Sequence, residues 1–133
     1  MKDRIDAYMA TSLVTFAPGD SIIDAMRALL ERHLSGAPVV DERGSLVGIL
    51  SQKDCLAIVY RAAYHQDTGG TVGQYMNHDV EYLEAGCSVV EVAEKFLNSS
   101  FRRFPVLRGD QLVGLISRYD VLRALDEQFL QNA

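Results

Sequence analysis

Much of the chemistry that marks an enzyme is missing from this chain. Its 133 residues hold no tryptophan, two cysteines and three histidines. Cys55 and Cys87 form no C-x-x-C pair, and two thiols without nearby histidines cannot close a zinc site. Each falls in an apolar helical or pre-helical pattern and reads as a small, buried, free thiol, because a reducing compartment disfavours a disulfide. His33, His65 and His78 share no ligand spacing and read as surface or helix-end residues. No G-x-S-x-G, H-E-x-x-H or P-loop run occurs. No apolar run approaches the roughly 20 residues of a membrane span, and Met1-Lys2-Asp3-Arg4 lacks the apolar region of a signal peptide. Cationic residues are short too. Thirteen Lys and Arg against eighteen Asp and Glu leave a net charge of -5, a poor basis for holding nucleic acid or an anionic membrane. These absences predict a cytoplasmic, non-catalytic protein with no required cofactor, no metal, and neither nucleic acid nor membrane as partner.

What the chain does have is a repetition. Met9 and Met76 each follow a tyrosine, and the same offset of 67 carries Gly19 onto Gly86, Ser21 onto Ser88 and Pro38 onto Pro105. Past the hairpin turn the offset is 66, which carries Gly48, Ser51 and Asp54 onto Gly114, Ser117 and Asp120. One residue is lost at the turn, where a deletion costs least.

Each copy has the same order of patterns. Residues 1–9 predict a short lead-in helix with Ile5, Tyr8 and Met9 on one face. Leu13–Phe16 predicts a strand, broken by Pro18-Gly19-Asp20. Ser21 opens a capping box for a helix whose apolar side is Ile22, Ala25, Met26, Leu29 and Leu30, with Gly36 suited to its end. Residues 37–40 and 46–50 predict a hairpin across Asp41–Gly44. Ser51 caps a second helix with Cys55, Leu56, Val59 and Ala63 inward. In the second copy, 80–83 is the strand and Val89, Val92, Ala93, Phe96 and Leu97 the first helix face. Residues 105–107 and 112–116 form the hairpin, and Val121, Leu122 and Leu125 line the last helix. The boundaries fall at 8–64 for the first copy with lead-in 1–7, 65–74 for linker and lead-in, 75–126 for the second copy, and 127–133 for a polar extension. A β-α-β-β-α unit of this size buries too little apolar surface alone, so two should pack face to face about an approximate twofold axis.

Tyr8-Met9 with Tyr75-Met76, Ala37-Pro38-Val39-Val40-Asp41 with Phe104-Pro105-Val106-Leu107, and the two glycine-led S-x-x-D stretches together closely resemble a tandem pair of cystathionine-β-synthase (CBS) domains, a Bateman module. The resemblance runs from about Tyr8 to Leu125. It implies an α/β (α+β) fold of two pseudo-symmetric β-α-β-β-α repeats. It also implies regulatory binding of adenine nucleotides or related adenosyl compounds, including S-adenosylmethionine and NAD, and pairing into a homodimer that signals to a separate effector protein. In such modules the aspartate holds ribose hydroxyls, the serine meets phosphate, and the segment before the proline strand lines the adenine pocket. Carried over, one cleft joins Ser117, Arg118 and Asp120 to Ser12, Leu34, Ser35, Gly36 and Ala37. The other joins Ser51, Lys53 and Asp54 to Asn77, Asp79, Phe101, Arg102, Arg103 and Phe104. On that grouping Arg102, Arg103 and Lys53 would make the Ser51/Asp54 cleft the better phosphate site.

A second reading stands beside this one. S-x-x-D is also a helix cap, and an unliganded CBS pair that only dimerises would need nothing more. Arg102 and Arg103 also suit a solvated helix end. Phe101 and Phe104 read as core or pocket wall; Tyr60 and Tyr64 suit a dimer interface but read mostly as core.

Overall fold

In a computed structural model that describes residues 4–65 and 69–131, the chain forms two compact units. The predicted linker residues 66–68 lie outside the described residues. One unit is Val14–Val80 and the other unites residues 4–13 with 81–131. Each repeat thus folds with the lead-in that precedes the other repeat in the sequence.

In the Val14–Val80 unit, helix α1 (Ile22–Glu31) starts where Ser21 Oγ accepts the Asp24 N–H. It ends in a Schellman turn: His33 N–H donates to Leu30 O and Leu34 N–H to Leu29 O. The left-handed residue of that turn is His33, at φ 55°, and not the expected Gly36. Gly36 instead begins strand β1 (Gly36–Val40), which pairs antiparallel with β2 (Leu46–Ser51). There Gly36 lies opposite Ser51, so close that a β-carbon would stand 2.9 Å from the Leu50 carbonyl oxygen. The strand expected at Leu13–Phe16 shrinks to one bridge, Phe16 against Val39. Helix α2 (Gln52–His65) follows β2 directly, and the short helix α3 (Val72–Tyr75) closes the unit, with Val72 N–H donating to Asp20 O. Phe16, Ile22, Leu29, Val39, Leu50 and Val72 form the centre of its core.

The second unit repeats the plan. A 3-10 turn at Ile5–Ala7 takes the place of α3, with Ile5 N–H on Cys87 O. Strand β3 (Leu83–Glu84) falls later than the expected 80–83, because only these residues reach parallel register with Val106 and Leu107 of β4. Helix α4 (Val89–Leu97) is capped by Ser88 Oγ, and β4 (Arg103–Arg108) pairs antiparallel with β5 (Gln111–Ser117). Helix α5 (Arg118–Leu125) continues into a π-helical turn over Asp126–Leu130. The core centres on Ile5, Val89, Val92, Phe104, Val106 and Ile116.

Two helix faces differ from expectation. On α2 the inward residues are Cys55 and Ile58, while Leu56, Val59, Tyr60 and Tyr64 are exposed. On α5 they are Val121 and Ala124, while Leu122 is exposed. The expected core role of the tyrosines fails for the same reason, since Tyr60 and Tyr64 stack on each other at 5.2 Å outside the core. Leu30 and Leu97 lie in the last turns of α1 and α4 and are exposed too. A run of alternating apolar residues fits more than one helical stripe, and the sequence alone does not say which stripe meets the sheet.

Candidate functional site

The glycine of each glycine-led stretch is explained by the lead-in that crosses it. Asn77 exchanges two backbone hydrogen bonds with Ile49, at 2.8 and 3.0 Å, and Ala10 does the same with Leu115. These contacts lay the preceding methionine over the glycine. A β-carbon on Gly48 would stand 2.6 Å from Met76 Sδ and 2.9 Å from the Asn77 carbonyl oxygen. On Gly114 it would stand 2.5 Å from Met9 Sδ and 2.9 Å from the Ala10 oxygen. The Tyr-Met pairs and the glycines are therefore two halves of one contact, made inside each unit.

Two residues beyond Ile49 and Leu115, at the last position of each strand, each serine closes a reciprocal box. Asp54 N–H donates to Ser51 Oγ at 3.0 Å, and Ser51 N–H donates to Asp54 Oδ2 at 2.9 Å. In the other unit the two bonds are 3.2 and 2.9 Å, and Ser117 Oγ also lies 3.0 Å from Asp120 Oδ2. Capping is therefore a real role of both pairs. It does not use up either group. Both aspartates spend only Oδ2 on the cap, at helix N-termini whose next N–H groups carry partial positive charge. Both are part-exposed; Asp54 Oδ1 is left for another partner, while Asp120 Oδ1 already faces Arg123 at 3.6 Å.

The pre-proline segments come to the boxes of their own repeats. Gln52 N–H donates to Ser35 O at 2.8 Å, and its side-chain amide donates to Leu34 O at 2.7 Å. Arg118 N–H donates to Arg102 O at 3.2 Å, and Arg103 stands opposite Ser117. So Ser51, Asp54, Leu34, Ser35, Gly36 and Asn77 share one unit, with exposed Lys53 beside Asp54. Asp79 N–H closes a turn on Asn77 Oδ1. Ser117, Arg118, Asp120, Arg102, Arg103 and exposed Ser12 share the other. An antiparallel hairpin joins the start of its first strand to the end of its second, which is why Arg102 and Arg103 adjoin Ser117 in their own unit. Ala37 and Phe104 are buried strand residues. Phe101 is exposed and packs on Phe104 at 5.6 Å.

Sequence reasoning passed over Arg123. It lies 3.6 Å from Asp120 Oδ1 and donates to the Tyr8 carbonyl at 3.2 Å. Three residues after an aspartate on a helix is ion-pair spacing, and that signal was present.

The CBS domain pattern matches the chain twice, over residues 5–61 and 72–127. The chain belongs to the CBS domain family. It is 27% identical over 126 residues to an uncharacterised 17.7 kDa protein of Acidianus ambivalens, covering 94% of this chain and 74% of that one. The CBS-pair protein CBSX2 of Arabidopsis thaliana has a crystal structure that superposes with a TM-score of 0.82 at 29% identity, over 98% of both chains. A second CBSX2 structure, in complex with AMP, gives 0.80 at 27% over 93% of this chain and 96% of that one. The cytosolic domain of the Mg2+ channel MgtE, in complex with ATP, gives 0.78 at 27% over 94% of this chain and 50% of that one. The chain spans 56% of the full chloroplastic CBSX2 sequence. No helix among the described residues is long and apolar enough to cross a membrane.

Proposed function

We propose that this CBS pair is a regulatory, non-catalytic module of the cytoplasm that binds an adenosine-containing nucleotide at its S-x-x-D boxes. The observation that carries the reading is the division of labour in each aspartate. Oδ2 closes the cap, and Oδ1 stays outside it at an exposed helix start, unpaired in Asp54 among the described residues and beside Arg123 in Asp120. A carboxylate oxygen outside the cap suits a ribose hydroxyl, and the helix N-terminus beside it suits phosphate. The AMP complex of a relative at this level of similarity supports the ligand class. The binding set is Ser51, Lys53, Asp54, Asn77 and Asp79, with Ser117, Arg118 and Asp120, and the pre-proline residues Leu34 to Ala37 and Phe101 to Phe104, together with Ser12.

Within their own unit Arg102 and Arg103 adjoin Ser117, which supports phosphate binding at the Ser117/Asp120 end as well as at the site expected at Ser51/Asp54. The exposed apolar faces of α2 (Leu56, Tyr60, Tyr64) and α5 (Tyr119, Leu122) suit a second copy of the chain, since a homodimer buries the same patch on both partners. Output then passes to a separate effector protein.

A thermal-shift panel of AMP, ADP, ATP, S-adenosylmethionine and NAD tests the ligand. A binder at ~100 times its dissociation constant stabilises the fold by ~2.7 kcal/mol. No shift with any of the five at millimolar concentration overturns the reading in favour of an unliganded scaffold.

A further inference from the structure

Arg123 is gripped from two sides. Its guanidinium lies 5.1 Å over the Tyr8 ring and donates to the Tyr8 carbonyl. The Tyr8 hydroxyl in turn donates to Glu127 Oε2 at 2.8 Å. Arg123 and Glu127 are four residues apart, so they reach Tyr8 from one helix face. Tyr8 itself is buried and tied to the core through Ile5. A surface arginine ordinarily loses side-chain freedom when it pairs, which leaves most exposed ion pairs nearly worthless. Here the ring and the carbonyl already hold the guanidinium, and it stands beside Oδ1, the oxygen that the cap leaves over.

The first repeat lacks this arrangement. At the offset of 66, Ala57 matches Arg123 and Arg61 matches Glu127. Among the described residues, no cation lies within ion-pair distance of Asp54. Two boxes with nearly the same cap therefore present different charges. One aspartate is bare and the other is compensated by a fixed cation.

We propose that Arg123 is a positioning and specificity-determining residue for Asp120. It orients Oδ1 and cancels the carboxylate charge, so that the Ser117/Asp120 end tolerates ligands of higher phosphate charge. At the Asp54 end the uncompensated carboxylate repels added phosphates and favours adenosyl compounds of lower charge. The inference rests on the reading that Asp120 meets the ligand's ribose. Repulsion between a carboxylate and phosphates grows with the number of phosphate charges, whereas a merely structural role would weaken every adenosine compound alike.

The test is titration calorimetry at low salt with adenosine, AMP and ATP, in an Asp54→Ala background that leaves the Asp120 end to be read. Arg123→Ala should leave adenosine nearly unchanged, weaken AMP by about threefold and weaken ATP by about tenfold. Arg123→Lys should recover most of the ATP affinity. In the reverse background, Asp120→Ala with Ala57→Arg should raise the preference for ATP over AMP at the Asp54 end, which keeps the idea testable if Arg123→Ala does not fold. Equal losses for all three compounds, or none, overturn the role of Arg123. If Asp120→Asn in the Asp54→Ala background leaves all three affinities unchanged, the ribose reading itself fails, and that result is distinct from a failure at Arg123 alone.

Discussion

Ser51 with Asp54 and Ser117 with Asp120 close boxes whose bonds agree within a few tenths of an ångström, yet the two surroundings have diverged. Behind Asp54 stand Ala57, a bare Gly36 backbone and a buried thiol. Behind Asp120 stand Arg123, Arg103 and the Tyr8 ring. The frame that builds the box is constrained by packing, because glycine and methionine must interlock for the lead-in to cross. The exposed flanking residues, Ala57 in one unit and Arg123 and Arg103 in the other, lie outside the core and are free to differ. Duplication here preserved the cap and changed its charge.

The shared frame is the part most sensitive to mutation. Gly48→Ala and Gly114→Ala each push a methyl into a methionine sulfur and a carbonyl oxygen. Relief requires the lead-in to move, so each should cost about 1–3 kcal/mol in urea denaturation. Similar costs would confirm that the two lead-ins are equivalent. A cheap substitution on one side would show that its lead-in is loosely held.

Next come the aspartates. Either change to alanine keeps the serine cap but removes the reciprocal bond and the first-turn acid, worth about 1 kcal/mol. Asp120→Ala also strands Arg123, and should exceed Asp54→Ala by a few tenths of a kcal/mol, since the pair is part-exposed. Equal costs would mean that the Arg123 pair adds nothing to folding, and would blunt the contrast between the units.

The repeat itself was open to reading because its marks are local: a serine three residues before an acid, a proline at a strand start, a glycine after a hairpin. Ser21, Ser88, Ser51 and Ser117 all cap as their spacing says. What failed depends on partners distant in sequence. Nothing near Met9 says that it covers Gly114 and not Gly48. Leu56 and Leu122 carry the right period and sit on the outer face. Arg103 stands opposite Ser117 because antiparallel pairing joins the start of β4 to the end of β5, a register that the hairpin pattern already carries. The π turn at Asp126–Leu130 left no mark in the polar tail beyond helical character.

The two lead-in tyrosines offer a smaller contrast. The Tyr8 hydroxyl bonds Glu127, while among the described residues Tyr75 has no such partner. Tyr8→Phe should cost about 0.5–1 kcal/mol, a modest figure because Glu127 is exposed to water. Tyr75→Phe should be close to neutral. Reversed costs would remove the Tyr8–Glu127 bond from the account of how Arg123 is held.

The faintest difference lies just behind the boxes, where Cys55 matches Val121 at the offset of 66. Both are buried, but only the thiol can ionise. Burial first, and the negative charge of Asp54 second, push its pKa upward. The native state then holds its proton at a pH where the unfolded chain has released it. Stability from this group is whole below the unfolded value and falls as pH rises through it, above about pH 8.5. Relative to Cys55→Ala, the parent protein should lose more stability as pH rises from about 8 to about 10 in urea titrations. Asp54→Asn should recover the lesser part of that loss, because it removes the second cause and leaves the first. Parallel pH profiles for the parent and Cys55→Ala would show that the thiol reaches water as easily folded as unfolded, and would erase this last asymmetry between the units.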